Sequence, residues 1–172
     1  AGSQSADKAG SGAGGTGSGY DVTLTATGEM LGVDGLTLYG GMSSIDKDTD
    51  VSTQSDDVDE ETLGITYAMG GFTVGYQVSK EDLGTNSGAM QYDNTGYGIV
   101  FAVNDDLSIS YNSYESEQEV TNIETEASSV QLAYSAGGLS VRIAEQSVDN
   151  KNYCTNAANQ RDATTISVAL AF

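Results

Sequence analysis

Residues 62–79 read Thr-Leu-Gly-Ile-Thr-Tyr-Ala-Met-Gly-Gly-Phe-Thr-Val-Gly-Tyr-Gln-Val-Ser. Large side chains fall at Leu63, Ile65, Tyr67 and Met69, and again at Phe72, Val74, Tyr76 and Val78. Between them stand Gly64, Thr66, Ala68, Thr73, Gly75 and Gln77, all small or polar. Successive side chains of a strand point to opposite faces, so a period of two predicts two strands, each with one apolar face. Gly70-Gly71 is a turn pair that closes a tight hairpin.

The same alternation extends in both directions from this hairpin. It predicts nine strands, at 20–27, 36–44, 62–69, 72–79, 96–103, 107–114, 128–135, 139–146 and 164–172. Their apolar faces carry, among others, Tyr20, Val22, Leu24, Leu38, Met42, Ile99, Phe101, Ile109, Val130, Leu132, Val141, Ile143, Ile166, Val168 and Phe172. The opposite faces carry Thr, Ser, Gly, Ala, Asn and Gln, with Arg142 the one basic side chain within a strand. A soluble sandwich also alternates, with its apolar face turned inward, so pattern alone leaves open whether that face meets protein or lipid.

Composition narrows the classes. The 172 residues include no His, Pro or Trp, but 22 Gly and 10 Tyr. No run approaches the roughly 18 consecutive apolar residues of a membrane helix, which leaves membrane strands open. The net charge is −19, from 25 acidic and 6 basic residues. Nucleic-acid binding needs the opposite sign. Without His, the usual Ser-His and His-carboxylate arrangements cannot be built, and no catalytic residues are expected. Cys154 is the only cysteine, so neither an intrachain disulfide nor a cysteine zinc site is available. Residues 1–19 are rich in Gly, Ser and Ala and read as a loop or linker ahead of a strand-bearing region at 20–172.

The connections sort by length. Gly70-Gly71, Asn104-Asp105-Asp106 and Ala136-Gly137-Gly138 are short, whereas 45–61, 80–95, 115–127 and 147–163 are long and acidic or polar. In an up-and-down sheet, alternate connections lie at the same end. All long loops then gather at one rim, the asymmetry of outer-membrane barrels with short periplasmic turns and longer extracellular loops. Tyr20, Tyr76, Tyr97 and Tyr134 near strand ends suit an aromatic girdle. The expected fold is an all-β, antiparallel, up-and-down transmembrane β-barrel.

The last strand, Ile166-Ser167-Val168-Ala169-Leu170-Ala171-Phe172, resembles the terminal strand of Gram-negative outer-membrane proteins. The hairpins at 35–41, 68–76 and 134–141 resemble the C-terminal half of alphaproteobacterial general porins. The resemblance spans roughly 20–172. It implies a sixteen-stranded parent barrel, a homotrimer, contact with outer-membrane lipid and lipopolysaccharide, and recognition by the barrel-assembly machinery. It also implies a periplasmic C-terminus, and nine strands then make this chain a C-terminal portion of that barrel. The constriction loop, which belongs to the N-terminal half in that family, is expected to be missing.

A wide polar-lined barrel passes ions and small hydrophilic solutes by diffusion. The candidate lining residues are Arg142, Asp21, Gln77, Asn112 and Gln131. With so few basic residues, a preference for cations is expected. No cofactor is required. Asp46, Asp48 and Asp50 match the first acidic positions of a calcium loop, but Val51 stands where its Gly is needed. Calcium held by this outer acidic loop competes with plain solvated charge. The alternatives are a non-transport outer-membrane barrel of eight or ten strands, serving as an adhesin or structural surface protein, and a soluble β-sandwich.

Overall fold

The computed structural model describes residues 2–5, 16–47, 57–84 and 91–171. They form one antiparallel sheet of ten strands in sequence order. The strands are β1 (Gly2–Ser5), β2 (Thr16–Thr27), β3 (Leu36–Lys47), β4 (Val58–Met69), β5 (Phe72–Asp82), β6 (Gln91–Ala102), β7 (Leu107–Gln118), β8 (Ile123–Ala136), β9 (Leu139–Asp149) and β10 (Arg161–Leu170). One helical turn, α1 (Gly28–Leu31), and a 3-10 turn at Ala157–Asn159 are the only helical elements among the described residues. Every strand pairs with its sequence neighbours, and among the described residues no ladder joins β10 to β1.

The nine expected strands correspond to β2 through β10, and the Gly70-Gly71 hairpin pairs Met69 with Phe72 as its alternation requires. At Ala136-Gly137-Gly138-Leu139 both central glycines have positive φ, 57° and 83°, the signature of a type I′ turn that only glycine adopts freely. In the third short turn, Asn104 Oδ1 accepts the N–H groups of Asp106 and Leu107, each at 2.9 Å. Two features depart from expectation. β1 and the start of β2 take Gly2–Ser5 and Thr16 onward into the sheet, inside the stretch that composition reads as linker; backbone pairing requires no apolar face. And the strands run further toward the long-loop end than their apolar residues do. The connection expected at 115–127 is largely paired, with Glu115 through Gln118 opposite Ile123 through Glu126. Apolar alternation marks where a strand's two faces differ in polarity, whereas the hydrogen-bonded ladder continues beyond it.

The sheet is a single layer. Of the described apolar residues, only Val58 and Ala144 are buried. The buried strand residues Val58, Gly64, Asn94, Ser116 and Ala144 all lie on the polar face. Apolar-face side chains stand out, Leu24 at 74%, Leu63 at 64% and Val168 at 63% exposure. Side chains converge on the concave side of a curved sheet and splay on the convex side. The polar face, which holds the buried strand residues, is therefore called the inner face and the apolar one the outer. More than twenty large apolar side chains stand on the outer face of these strands. At roughly 1.5–3 kcal/mol for full burial of each, tens of kcal/mol of burial are left to be supplied from outside the sheet. That exceeds the whole stability of an ordinary domain, about 5–15 kcal/mol.

Register adds geometry. One ladder row on the apolar face runs Ala26, Leu38, Ile65, Tyr76, Tyr97, then Ser113, Ser128, Ser147 and Asp162. The row starts apolar and ends acidic. The uppermost large apolar residue of each strand, toward the long-loop end, is Tyr20, Met42, Leu63, Val78, Tyr97, Tyr111, Val130, Ile143 and Ile166, from β2 to β10. Followed through the ladders, these positions descend ten residues over eight strand steps, about 1.25 residues per step. With roughly 3.3 Å per residue and 4.8 Å between strands, the apolar band crosses the ladder rows at about 40°.

Candidate functional site

The polar face gathers the residues with chemistry to offer. The odd positions of β2, β3, β5, β8 and β10 and the even positions of β4, β6, β7 and β9 share it, as the ladder partners require. Asp21, Gln77, Asn112, Gln131 and Arg142, the five residues expected on one face, all stand there. Asp21 pairs with Ser43 at the middle of β2. Gln131 lies opposite Ser110 and Ala144, and Arg142 opposite Ala133 and Ser167. Asn112 is paired with Gly98, whose missing side chain leaves room for the amide.

Residues that alternation did not single out join them. Tyr39 lies on the polar face, its ring laid over Gly64 where a Cβ would collide with it. Its hydroxyl donates to Gln77 Oε1 at 2.9 Å, bridging β3 to β5. Beside this bridge an open groove of ≈ 350 Å³ is lined by Gln77, Gly96, Gly98 and Asn112, among others. Higher on the same face Glu60 stands directly opposite Glu81. Asn94 Nδ2 donates to Glu81 Oε1 at 3.2 Å, and the Tyr114 hydroxyl donates to Asn94 Oδ1 at 2.8 Å. Glu81, Asn94 and Ser116 were legible only as loop residues, since the apolar band ends before them. Tyr39 and Tyr114 were legible by parity alone.

Among the described side chains, charge on this face is segregated. The acids Asp21, Glu60 and Glu81 stand on β2, β4 and β5, while Arg142 and Arg161 stand on β9 and β10. Asp46 is exposed near the end of β3; Asp48 and Asp50 lie outside the described residues, as does Phe172. Among the described residues no group of three or more His, Cys, Asp or Glu side chains could hold a metal ion.

No family model and no curated protein matches the chain.

The outer face has its own charged margin. Beyond the apolar band, Glu115 faces Glu126 and Glu117 faces Glu124 across β7 and β8. The Glu124 carboxyl, in this stretch above the band, is raised above its ordinary range, first by desolvation and then by Glu115, Glu126 and Glu117. A raised acid contributes stability while it is protonated, and that contribution is lost as pH rises through the raised value. At neutral pH the four carboxylates therefore weaken the ladder. Glu124→Gln should stabilise the fold by about 0.3 kcal/mol at low ionic strength, and the gain should vanish near 1 M salt. Thermal melts at the two salt concentrations check this.

Proposed function

We propose that the chain forms wall of an outer-membrane β-barrel whose polar face lines a water-filled channel, through which ions and small hydrophilic solutes diffuse, as in the general porins its hairpins resemble. The oblique apolar band carries this reading. Strands of transmembrane barrels tilt by about 35–45° from the membrane normal, so a slab of lipid of constant height must cut their ladder rows at that angle. The band here crosses at about 40°. A sheet packed on a second protein layer has no reason to step its apolar residues so evenly. Strands of 10 to 14 residues for β2 through β10 meet the roughly 9–11 residues that a tilted membrane strand needs.

In this reading the long-loop end, with its acidic margin, faces the outside, and the short turns face the periplasm. The unpaired edges of β1 and β10 are joined through further strands of a sixteen-stranded barrel, which assembles as a trimer. The lining is small and polar, and the acids Glu60 and Glu81 near its mouth favour cations. In planar bilayers under a KCl gradient, the protein should conduct with a reversal potential on the potassium side. Glu60→Gln with Glu81→Gln should bring the cation-to-anion permeability ratio down roughly twofold. A chloride-selective wild type would refute the cation preference, and an absence of conductance the channel.

A second reading draws on the strand count. Ten strands is an even number, as single-chain bacterial barrels have, and a closed ten-stranded barrel would be a non-transport surface protein. The same bilayer recording separates the two, because a small barrel packed with side chains does not conduct.

A further inference from the structure

The connection between β9 and β10, residues 150–160, leaves the sheet beside β8. Asn150 Nδ2 donates to the Glu124 carbonyl at 3.0 Å, and Thr125 Oγ1 donates to the Asn150 carbonyl at 2.9 Å. From there the chain turns sharply. Asn150, Asn152 and Tyr153 have positive φ of 51°, 60° and 54°, a region that asparagine tolerates and a bulky tyrosine enters only when its surroundings hold it there.

What holds Tyr153 is far across the sheet. Its hydroxyl lies 2.7 Å from Ser116 Oγ, and its ring centre 5.3 Å from that of Tyr92. Ser116 belongs to β7 and Tyr92 to β6, two and three strands from β9. At about 4.8 Å per strand, those anchors stand about 10 and 14 Å across the ladder. Both side chains are on the polar face, in register with the Asn94 row and the Glu81 row respectively. Ser116 is buried, with 5% of its surface exposed. A loop standing upright on the rim does not reach these residues; this one folds inward across the polar face.

We propose that residues 150–160 are a narrowing element of the channel and that Tyr153 is the latch holding them across its mouth. This rests on the diffusion-channel reading. A segment crossing the polar face from β9 to β6 occupies cross-section that ions otherwise use. Beyond its anchorage at Asn150, the element is held across the polar face by an aromatic contact plus one hydroxyl pair, so a single substitution releases that part. Next to the latch, Cys154 is exposed and free, and as the only cysteine of the chain it offers a native handle on the loop.

The test uses single channels of the full chain in planar bilayers. Tyr153→Ala should raise conductance by roughly 1.5-fold, and Tyr153→Phe, which keeps the ring on Tyr92 but loses the hydroxyl, by less. On open wild-type channels, a cationic methanethiosulfonate should reduce conductance in steps. The Cys154 thiolate displaces sulfinate from the reagent, leaving a positive group on a new disulfide. An anionic reagent should reduce cation conductance less, because its charge attracts the permeant ion. Tyr153→Ala channels identical to wild type, with no response of wild type to either reagent, would overturn the latch while leaving the channel standing. Folded wild-type protein that never conducts overturns the channel reading and the latch with it. If Tyr153→Ala does not fold, the reagent response of wild type decides alone.

Discussion

Ile99→Arg should cost about 2–4 kcal/mol of stability in a lipid bilayer, while Thr73→Arg should cost less than about 1 kcal/mol. The two positions are neighbours. Ile99 is paired with Val74, and Thr73 with Val100. They differ in face. Ile99 stands on the apolar side of β6, 40% exposed, between Tyr97 and Phe101, whose ring stacks on Phe72 at 4.4 Å. If the apolar face lies in lipid, as we propose, a guanidinium there has hydrocarbon around it and can reach water only by bending the long side chain toward an interface. At Thr73, on the polar face, it enters water. Equilibrium denaturation from phospholipid vesicles measures both. Equal costs would mean that the apolar face is not in lipid, and the channel reading would fall with it.

Much of this was legible in the sequence, for a definite reason. Leu63, Ile65, Tyr67 and Met69 alternate with small or polar residues because the two sides of β4 differ in polarity, and that contrast between faces is what a period of two records. The strand ends were not legible. Glu115 and Glu117 on β7 and Glu124 and Glu126 on β8 are polar on the very face that is apolar lower down, so alternation stops while the ladder continues. The candidate site followed the same rule. Gln77, Asn112, Gln131, Arg142 and Asp21 were placed by parity within the apolar stretch or close to it. Tyr39 was legible by parity, next to Leu38 and so on the opposite face, although an aromatic residue reads at first as part of the apolar side; the Leu38–Ile65 register places it with the polar residues. Asn94, Glu81 and Ser116 fell in segments read as loops. The reach of Tyr153 to Ser116 joins residues 37 apart in sequence through a fold of the chain that has no local signature.

The slant of the apolar band is the least local feature of all, and it makes the sharper prediction. Ile65 and Ser128 share a ladder row and a face. If strands stood upright in the membrane, both would sit at one depth, and Arg at either would cost the same. With the band crossing at about 40°, Ile65 lies near the middle of the apolar stretch of β4, from Leu63 to Met69. Ser128 lies one outward-facing position above Val130, where the apolar stretch of β8 ends. Ile65→Arg should therefore cost about 2–4 kcal/mol, and Ser128→Arg about 0–1 kcal/mol, the values for the hydrocarbon centre and the interface. In a soluble sandwich the cost follows burial against the second layer and has no dependence on bilayer thickness. Refolding the two variants into lipids of shorter and longer chains separates the cases. The Ser128→Arg cost should rise in the thicker bilayer, as the interface moves outward past β8. A Ser128 cost equal to that of Ile65 in every lipid would mean that the band is not the footprint of a membrane.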